Sequence, residues 1–190
     1  MLIPSGPSFD YFEAEHKISP ADFRQFFRGS YELAMSGKAD LFEVLPAALE
    51  QWNWQGSVEE FADVWFRSCA DCDPAAVEIV RALRSQGVIC YAASNQDNRR
   101  AVFLDSLPWI SQTFHRRFYS CQLGVKKPSA DYFELIRREA AVPSQSILFV
   151  DDNVENVDGA RACGWFAEVC TGAFDLREVV AKYFPKLDIL

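Results

Sequence analysis

Apolar positions along the chain change their rhythm near residue 72. Before it the spacing is helical and rich in aromatic residues, and no run reads as a strand. Phe9 and Phe12 are three apart and share a helical face. Ser19-Pro20 supplies an N-cap and a first-turn proline, predicting a helix over 20–28. Ser36-Gly37 reads as a turn, 41–52 as a helix interrupted near Pro46, and 57–68 as a helix capped at SVEE. The aromatics Phe23, Phe26, Phe27, Trp52, Trp54 and Trp65 at this spacing are core residues first and pocket candidates second.

From residue 73 onward helices and strands alternate. Asp73-Pro74 opens a helix with Val77, Val80 and Leu83 on one face, closing at Gly87, and VICYAA follows as a strand. A helix over about 98–107 leads through PWISQTF to an expected strand FYSCQL, and Ser129 is placed to cap the helix ADYFELIRREA. SILFV is apolar without alternation, as in a parallel strand covered on both faces. A helix over 154–163 stops at Gly164, and WFAEVCT is the last expected strand. Alternating β and α elements predict an α/β fold: a Rossmann-like, doubly wound parallel sheet over 73–190, with a small all-helical domain over 7–72.

Composition narrows the function. The 190 residues are 49% hydrophobic, enough for a packed core, and the net charge of −8 argues against a nucleic-acid face, since basic residues cluster only in pairs such as Arg99-Arg100 and Arg116-Arg117. No apolar run approaches 20 residues and no secretory signal is visible, so the default location is cytoplasmic, without a membrane partner. Six cysteines and two histidines are scattered, and the one CxxC, Cys69 and Cys72, has no second pair, so reduced thiols are expected.

The chemistry gathers at strand ends, where α/β folds place their ligands. SILFV ends in Asp151 and Asp152, an oxygen pair that suits Mg²⁺ better than Zn²⁺. Ser94-Asn95 follows VICYAA, and Lys127 precedes Pro128 in GVKKPSADYF. Separately these are ordinary caps and solvated loop residues. Together they supply a hydroxyl donor, a cation and a metal-binding acid pair, a set suited to phosphate. Phosphorelay receiver domains use similar groups, but with the acid pair first and the lysine last, opposite to the order here.

The order and flanks of three pieces, DPAAVEIVRALRSQGVICYAASN, GVKKPSADYFELI and SILFVDDNVENVDGARACGW, resemble the haloacid dehalogenase-like hydrolase superfamily, in the branch with a small helical cap after the first strand. The likeness is close over 73–165 and loose over the cap. It implies that Ser94 hydrogen-bonds a phosphoryl oxygen with Asn95 beside it, and that Lys127, rather than Lys126, neutralises the transferring group. It further implies that Asp152 coordinates Mg²⁺ directly, that Asp151 acts through metal-bound water, and that Asn156 orients the pair. The implied activity is a Mg²⁺-dependent phosphatase acting on a small phosphorylated metabolite through an aspartyl-phosphate. A homo-oligomer is compatible with the sequence.

The family's first strand ends in D-x-D, whose acids are nucleophile and general acid/base, and this chain lacks it. Met1-Leu2-Ile3 resembles the residues just beyond that motif, so 1–6 reads as a remnant of the loop after the nucleophile. Asp10 lies in a helical pattern and does not replace it. The expectation is an N-terminally truncated, inactive polypeptide whose absent strand belongs between those ending at Ser94 and Asp151. The alternative is a non-catalytic relative that keeps the phosphate and metal groups for binding.

Overall fold

The computed structural model describes residues 9–187; the expectations for 1–6 lie outside them. Three capping boxes set the helix starts of the first domain: Ser19 with Asp22, Asp40 with Glu43, and Ser57 with Glu60 each exchange side-chain and backbone hydrogen bonds. They order α1 (Phe9–His16), α2 (Pro20–Arg28), α3 (Tyr31–Met35), α4 (Leu41–Val44), α5 (Pro46–Gln51) and α6 (Val58–Ser68). Pro46 divides α4 from α5, where the interruption was expected. These helices close around Phe12, Phe23, Phe26, Leu41, Phe61 and Trp65, all buried.

The second part runs α7 (Pro74–Ser85), β1 (Tyr91–Ser94), α8 (Asn98–Ser106), α9 (Pro108–Thr113), β2 (Arg116–Tyr119), α10 (Ser120–Leu123), α11 (Ala130–Ala140), β3 (Leu148–Asp151), α12 (Val154–Ala162), β4 (Phe166–Val169) and α13 (Ala173–Tyr183). The α/β class with parallel strands is as the sequence predicts. β1 pairs in parallel with β2, Tyr91 opposite Arg116, and β3 with β4, Leu148 opposite Phe166. Among the described residues no ladder joins the two pairs, so the sheet is split between β1 and β3. One apolar cluster joins α7 and α13 beside β1; another joins α11 and α12 to β2, β3 and β4.

Several boundaries differ from the sequence reading. Of VICYAA, Val88 to Cys90 stay outside the ladder. FYSCQL ends as a strand at Tyr119, because Cys121 N and the Ser120 hydroxyl bond the backbone of Gln96, and Gly124, at φ 72°, closes the helical turn that follows. PWISQT is helical, and Ser129 holds the N-cap position of α11 without a side-chain cap bond.

The helical domain sits on the rest through specific contacts. Tyr31 Oη donates to Asp97 Oδ2 at 2.8 Å, Arg99 Nε meets both oxygens of Asp40 at 2.9 Å, and Lys126 pairs with Glu32. Gly37, at φ 68°, lies so close to the Cys121 carbonyl that a Cβ there would come within 2.2 Å of the oxygen.

Candidate active site

β1 and β3 carry polar residues at their carboxyl ends, and the loop after α10 brings Lys127 between them. Lys127 Nζ donates to Ala93 O at 2.8 Å and to Asp151 Oδ2 at 2.5 Å, with both side chains buried. Its backbone is clamped by one side chain: Lys127 N donates to Asn95 Oδ1 at 2.9 Å, and Asn95 Nδ2 donates to Lys127 O at 3.0 Å. Asn95 therefore fixes the lysine, whatever further contact it makes. Lys126 turns away to Glu32 on α3.

The other oxygen of Asp151 accepts from Asn153 N at 2.9 Å and Asn156 Nδ2 at 3.0 Å. Burial alone would raise this carboxyl, but the Lys127 ammonium and these amide donors hold it below the usual range. Asp152 is exposed at the rim. The donor set fits a hard divalent cation: the acid pair offers only oxygens, and Mg²⁺ is commonly held by one or two carboxylates with waters and substrate phosphate. Among the described residues no group of three or more His, Cys, Asp and Glu gathers to hold a metal, at this site or elsewhere, so protein ligands here would number two, with waters and substrate completing the shell.

Ser94 Oγ accepts from Gln96 Nε2 at 2.8 Å. Gln96 is itself buried, and its Oε1 has no hydrogen-bond partner among the described residues. Ser94, Asn95, Gln96, Lys127, Asp151 and Asp152 all line one cavity of about 1010 Å³. Phe27, Tyr31, Met35 and Trp65 of the helical domain line it too, so two of the six aromatics weighed from sequence reach it. Arg100, buried at 4% exposure, also lines the cavity. Sequence reasoning missed Gln96, Tyr31 and Arg100; the polar run SNQD after an apolar strand was the available signal for Gln96 alone.

Other nucleophiles are poorly placed. Burial pushes the Cys90 and Cys121 thiols up to about 11, so neither is a thiolate near neutral pH. Asp71-Cys72-Asp73 spells D-x-D, but it precedes α7 instead of ending a strand. Asp73 is committed to Ala75 N, Ala76 N and Ala173 N.

Comparison with known proteins places this geometry. The family model described as haloacid dehalogenase-like hydrolase matches residues 4–164. A sesquiterpene phosphatase, astK of Aspergillus oryzae, is 28% identical over 102 residues, which cover 52% of this chain and 52% of astK. A drimenol cyclase, drtB of Aspergillus calidoustus, is 35% identical over 51 residues, 27% of this chain and 10% of drtB. The matches thus span about half, or far less, of these curated relatives. In fold, the chain is similar to the HAD family enzyme bt-2542 of Bacteroides thetaiotaomicron in complex with magnesium and inorganic phosphate, with TM-score 0.76 and 16% identity, covering 94% of this chain and 93% of that one. L-2-haloacid dehalogenase of Xanthobacter autotrophicus gives TM-score 0.68 and 18% identity, covering 100% and 80%. No helix among the described residues is long and apolar enough to cross a membrane.

Proposed function

This chain belongs to the haloacid dehalogenase-like hydrolases, and on that premise we propose that it carries the phosphate- and Mg²⁺-binding part of a phosphatase that cleaves a small phosphate monoester through an aspartyl-phosphate. The observation that carries this reading is the convergence of Ser94, Lys127, Asp151 and Asp152 on one cavity from three separate strand ends and loops.

Each group has a task that its surroundings allow. Because Gln96 Nε2 occupies an acceptor position on Ser94 Oγ, the Ser94 hydroxyl hydrogen is left to donate to a phosphoryl oxygen. The Lys127 ammonium, fixed by Asn95 and by Ala93 O, offsets charge where phosphorus is attacked. Asp152 and Asp151 would hold Mg²⁺, with Asn156 orienting Asp151; bound there, the cation neutralises phosphoryl charge. In the reaction an attacking carboxylate oxygen bonds phosphorus as the ester P–O bond breaks and the alcohol leaves with a proton; water then releases phosphate. No such attacking carboxylate is among the described residues that line the cavity, and residues 1–190 by themselves are expected to show no turnover.

The substrate class follows from the opposite wall. Phe27, Met35 and Trp65 line the same cavity as Ser94, Lys127 and Asp151, and the resemblance to a sesquiterpene phosphatase agrees with an apolar alcohol as the leaving group.

The test is a Mg²⁺-dependent assay on the chain extended at its amino end by an apolar strand ending in Asp-x-Asp. Turnover is expected, with higher kcat/KM for phosphates of apolar alcohols than for sugar phosphates. Lys127→Ala should lower it by orders of magnitude; an equal rate refutes the lysine's role. Turnover by residues 1–190 themselves that survives purification and vanishes in Asp152→Ala would refute the inactivity of the chain as given.

A further inference from the structure

Two polar side chains that line the cavity keep an open hydrogen-bonding position. Gln96, 4% exposed, gives Nε2 to Ser94 Oγ at 2.8 Å, while its Oε1 has no partner among the described residues. Trp65 is fully buried, and its indole Nε1–H also lacks a partner among the described residues. The first is an acceptor from the α/β part and the second a donor from the helical domain, and both residues line the one cavity. Two links hold them in the same part of it. The Trp65 ring lies 5.5 Å from that of Tyr31, whose Oη reaches Asp97, the neighbour of Gln96 in the chain. The Arg100 guanidinium, from the first turn of α8, sits 5.9 Å from the centre of the same Trp65 ring.

The groups around them are already committed. Tyr31 Oη gives its proton to Asp97 Oδ2, and Asp97 Oδ1 takes the amides of Arg99 and Arg100. Trp165 Nε1 is also unpartnered in the cavity lining, but its ring packs on Phe133 and Phe149, within the α/β part. A buried polar atom without a partner is costly, and an acceptor and a donor left open beside Phe27 and Met35 call for one group that both gives and takes a hydrogen bond. An ether or carbonyl oxygen only accepts, and an ammonium only donates. A hydroxyl does both. The phosphate groups are close by: Gln96 Oε1 is at most about 5 Å from Ser94 Oγ, the hydrogen bond plus the span of the amide.

We propose that Gln96 and Trp65 form a hydroxyl seat: Gln96 Oε1 accepts from, and Trp65 Nε1 donates to, the hydroxyl of an otherwise apolar alcohol whose carbon skeleton lies against Phe27 and Met35. The two are specificity-determining residues, since they favour an alcohol over an apolar molecule of the same shape. The hydroxyl has two sources: the alcohol set free when a phosphate ester is cleaved, or a second hydroxyl on the substrate. That the alcohol is the organic part of the substrate rests on the phosphatase reading; the seat itself rests on the two open atoms.

The experiment titrates isotopically labelled residues 1–190 with n-octanol and with octyl chloride and follows the indole N–H resonances, assigned through their own backbone amides. Octanol is expected to move the Trp65 indole and leave that of Trp165, and to bind about tenfold more tightly than the chloride. In Gln96→Met, which keeps the length of the side chain, that preference is expected to vanish while the chloride binds as in the wild type. Tighter binding of the chloride by the wild type, as plain apolar partition dictates, would overturn the proposal, as would an unmoved Trp65 indole at saturation or a preference that survives in Gln96→Met. Octyl phosphate and octanediol monophosphate then separate the sources. A Trp65 shift with the diol phosphate and not with octyl phosphate assigns the seat to a second hydroxyl, and a shift with octanol and neither phosphate assigns it to the released alcohol. An equal shift with both phosphates would overturn the seat, because octyl phosphate carries no alcohol hydroxyl. The first titration contains no phosphate, so a chain that binds octanol in this way and fails to bind phosphate would count against the phosphatase reading alone.

Discussion

Lys127 and Asp151 form a buried ion pair, with side-chain exposures of 7% and 6%, and removing one partner leaves the other charged in a poor solvent. Lys127→Met is expected to cost roughly 3–5 kcal/mol in urea unfolding, and Lys127→Met with Asp151→Asn to recover part of that loss. Simple additivity of the two substitutions would contradict the pairing. Asp97 gives a second prediction at this scale. It caps α8 through Arg99 N and Arg100 N, receives Tyr31 Oη, and faces Arg100 and the Cys121 thiol. Burial pushes its carboxyl above the ordinary 3.8, even though Tyr31 and Arg100 counter it. The folded state therefore binds that proton more tightly than the unfolded chain, and stability falls as pH rises through the carboxylate range. Asp97→Asn keeps an N-cap and a Tyr31 partner, so its stability relative to wild type should improve from pH 4 to pH 7; a pH-independent difference would contradict this. Ser94, Asp151 and Asp152 were legible because apolar runs stop at them, and Lys127, which lies in the loop after α10, because it precedes a proline and a helix start. Tyr31, Gln96 and Arg100 were not, since what makes them part of the site is a neighbour distant in sequence or a turn that only the fold defines.

Helices that open on a side-chain cap were the most legible elements, whereas α3, α9, α10 and α13, none of which has a side-chain cap bond, were not read from the sequence. Strand limits were not, since pairing depends on a partner: Val88 to Cys90 have strand-like sequence and no ladder, and Ser120 and Cys121 spend their polar groups on Gln96. Glycines mark where elements approach. In α12, a Cβ on Gly159 would lie 2.6 Å from Pro128 O and 3.1 Å from the Phe133 ring, so this helix packs directly on the loop that carries Lys127. Gly159→Ala gains about 1 kcal/mol of helix propensity, yet is expected to lose a net 1–3 kcal/mol, roughly, through overpacking. Thermal unfolding checks this, and a stabilised variant would contradict the close approach.

At the scale of the whole molecule, the aromatic-rich helices α1 to α6 meet the α/β part over the site. The exposed pair Arg99–Asp40 adds little, about 1 kcal/mol or less. The close approach of Gly37 to Cys121, the Tyr31–Asp97 bond and the Phe66–Phe103 contact at 5.6 Å define the seat. Gly37→Ala should therefore loosen the helical domain, seen as faster amide exchange in both α3 and α10, whereas unchanged exchange would place the seat elsewhere. The parallel α/β class was legible from alternating periodicity. The form it takes, two ladders facing across an apolar cavity, needed the coordinates, because periodicity reports which faces are buried and says nothing of which edges are paired.

The claim on which the functional reading depends is that phosphate and Mg²⁺ meet at the ends of β1 and β3. Titrating isotopically labelled residues 1–190 with Mg²⁺ and then inorganic phosphate, followed by nuclear magnetic resonance, tests it without requiring turnover. The amides of Asp152 and Asn153 should shift with Mg²⁺, and those of Ser94, Asn95 and Lys127 with phosphate, in a manner that Asp152→Ala abolishes. Shifts confined to other surfaces, or none at millimolar concentrations of both ions, would contradict the account.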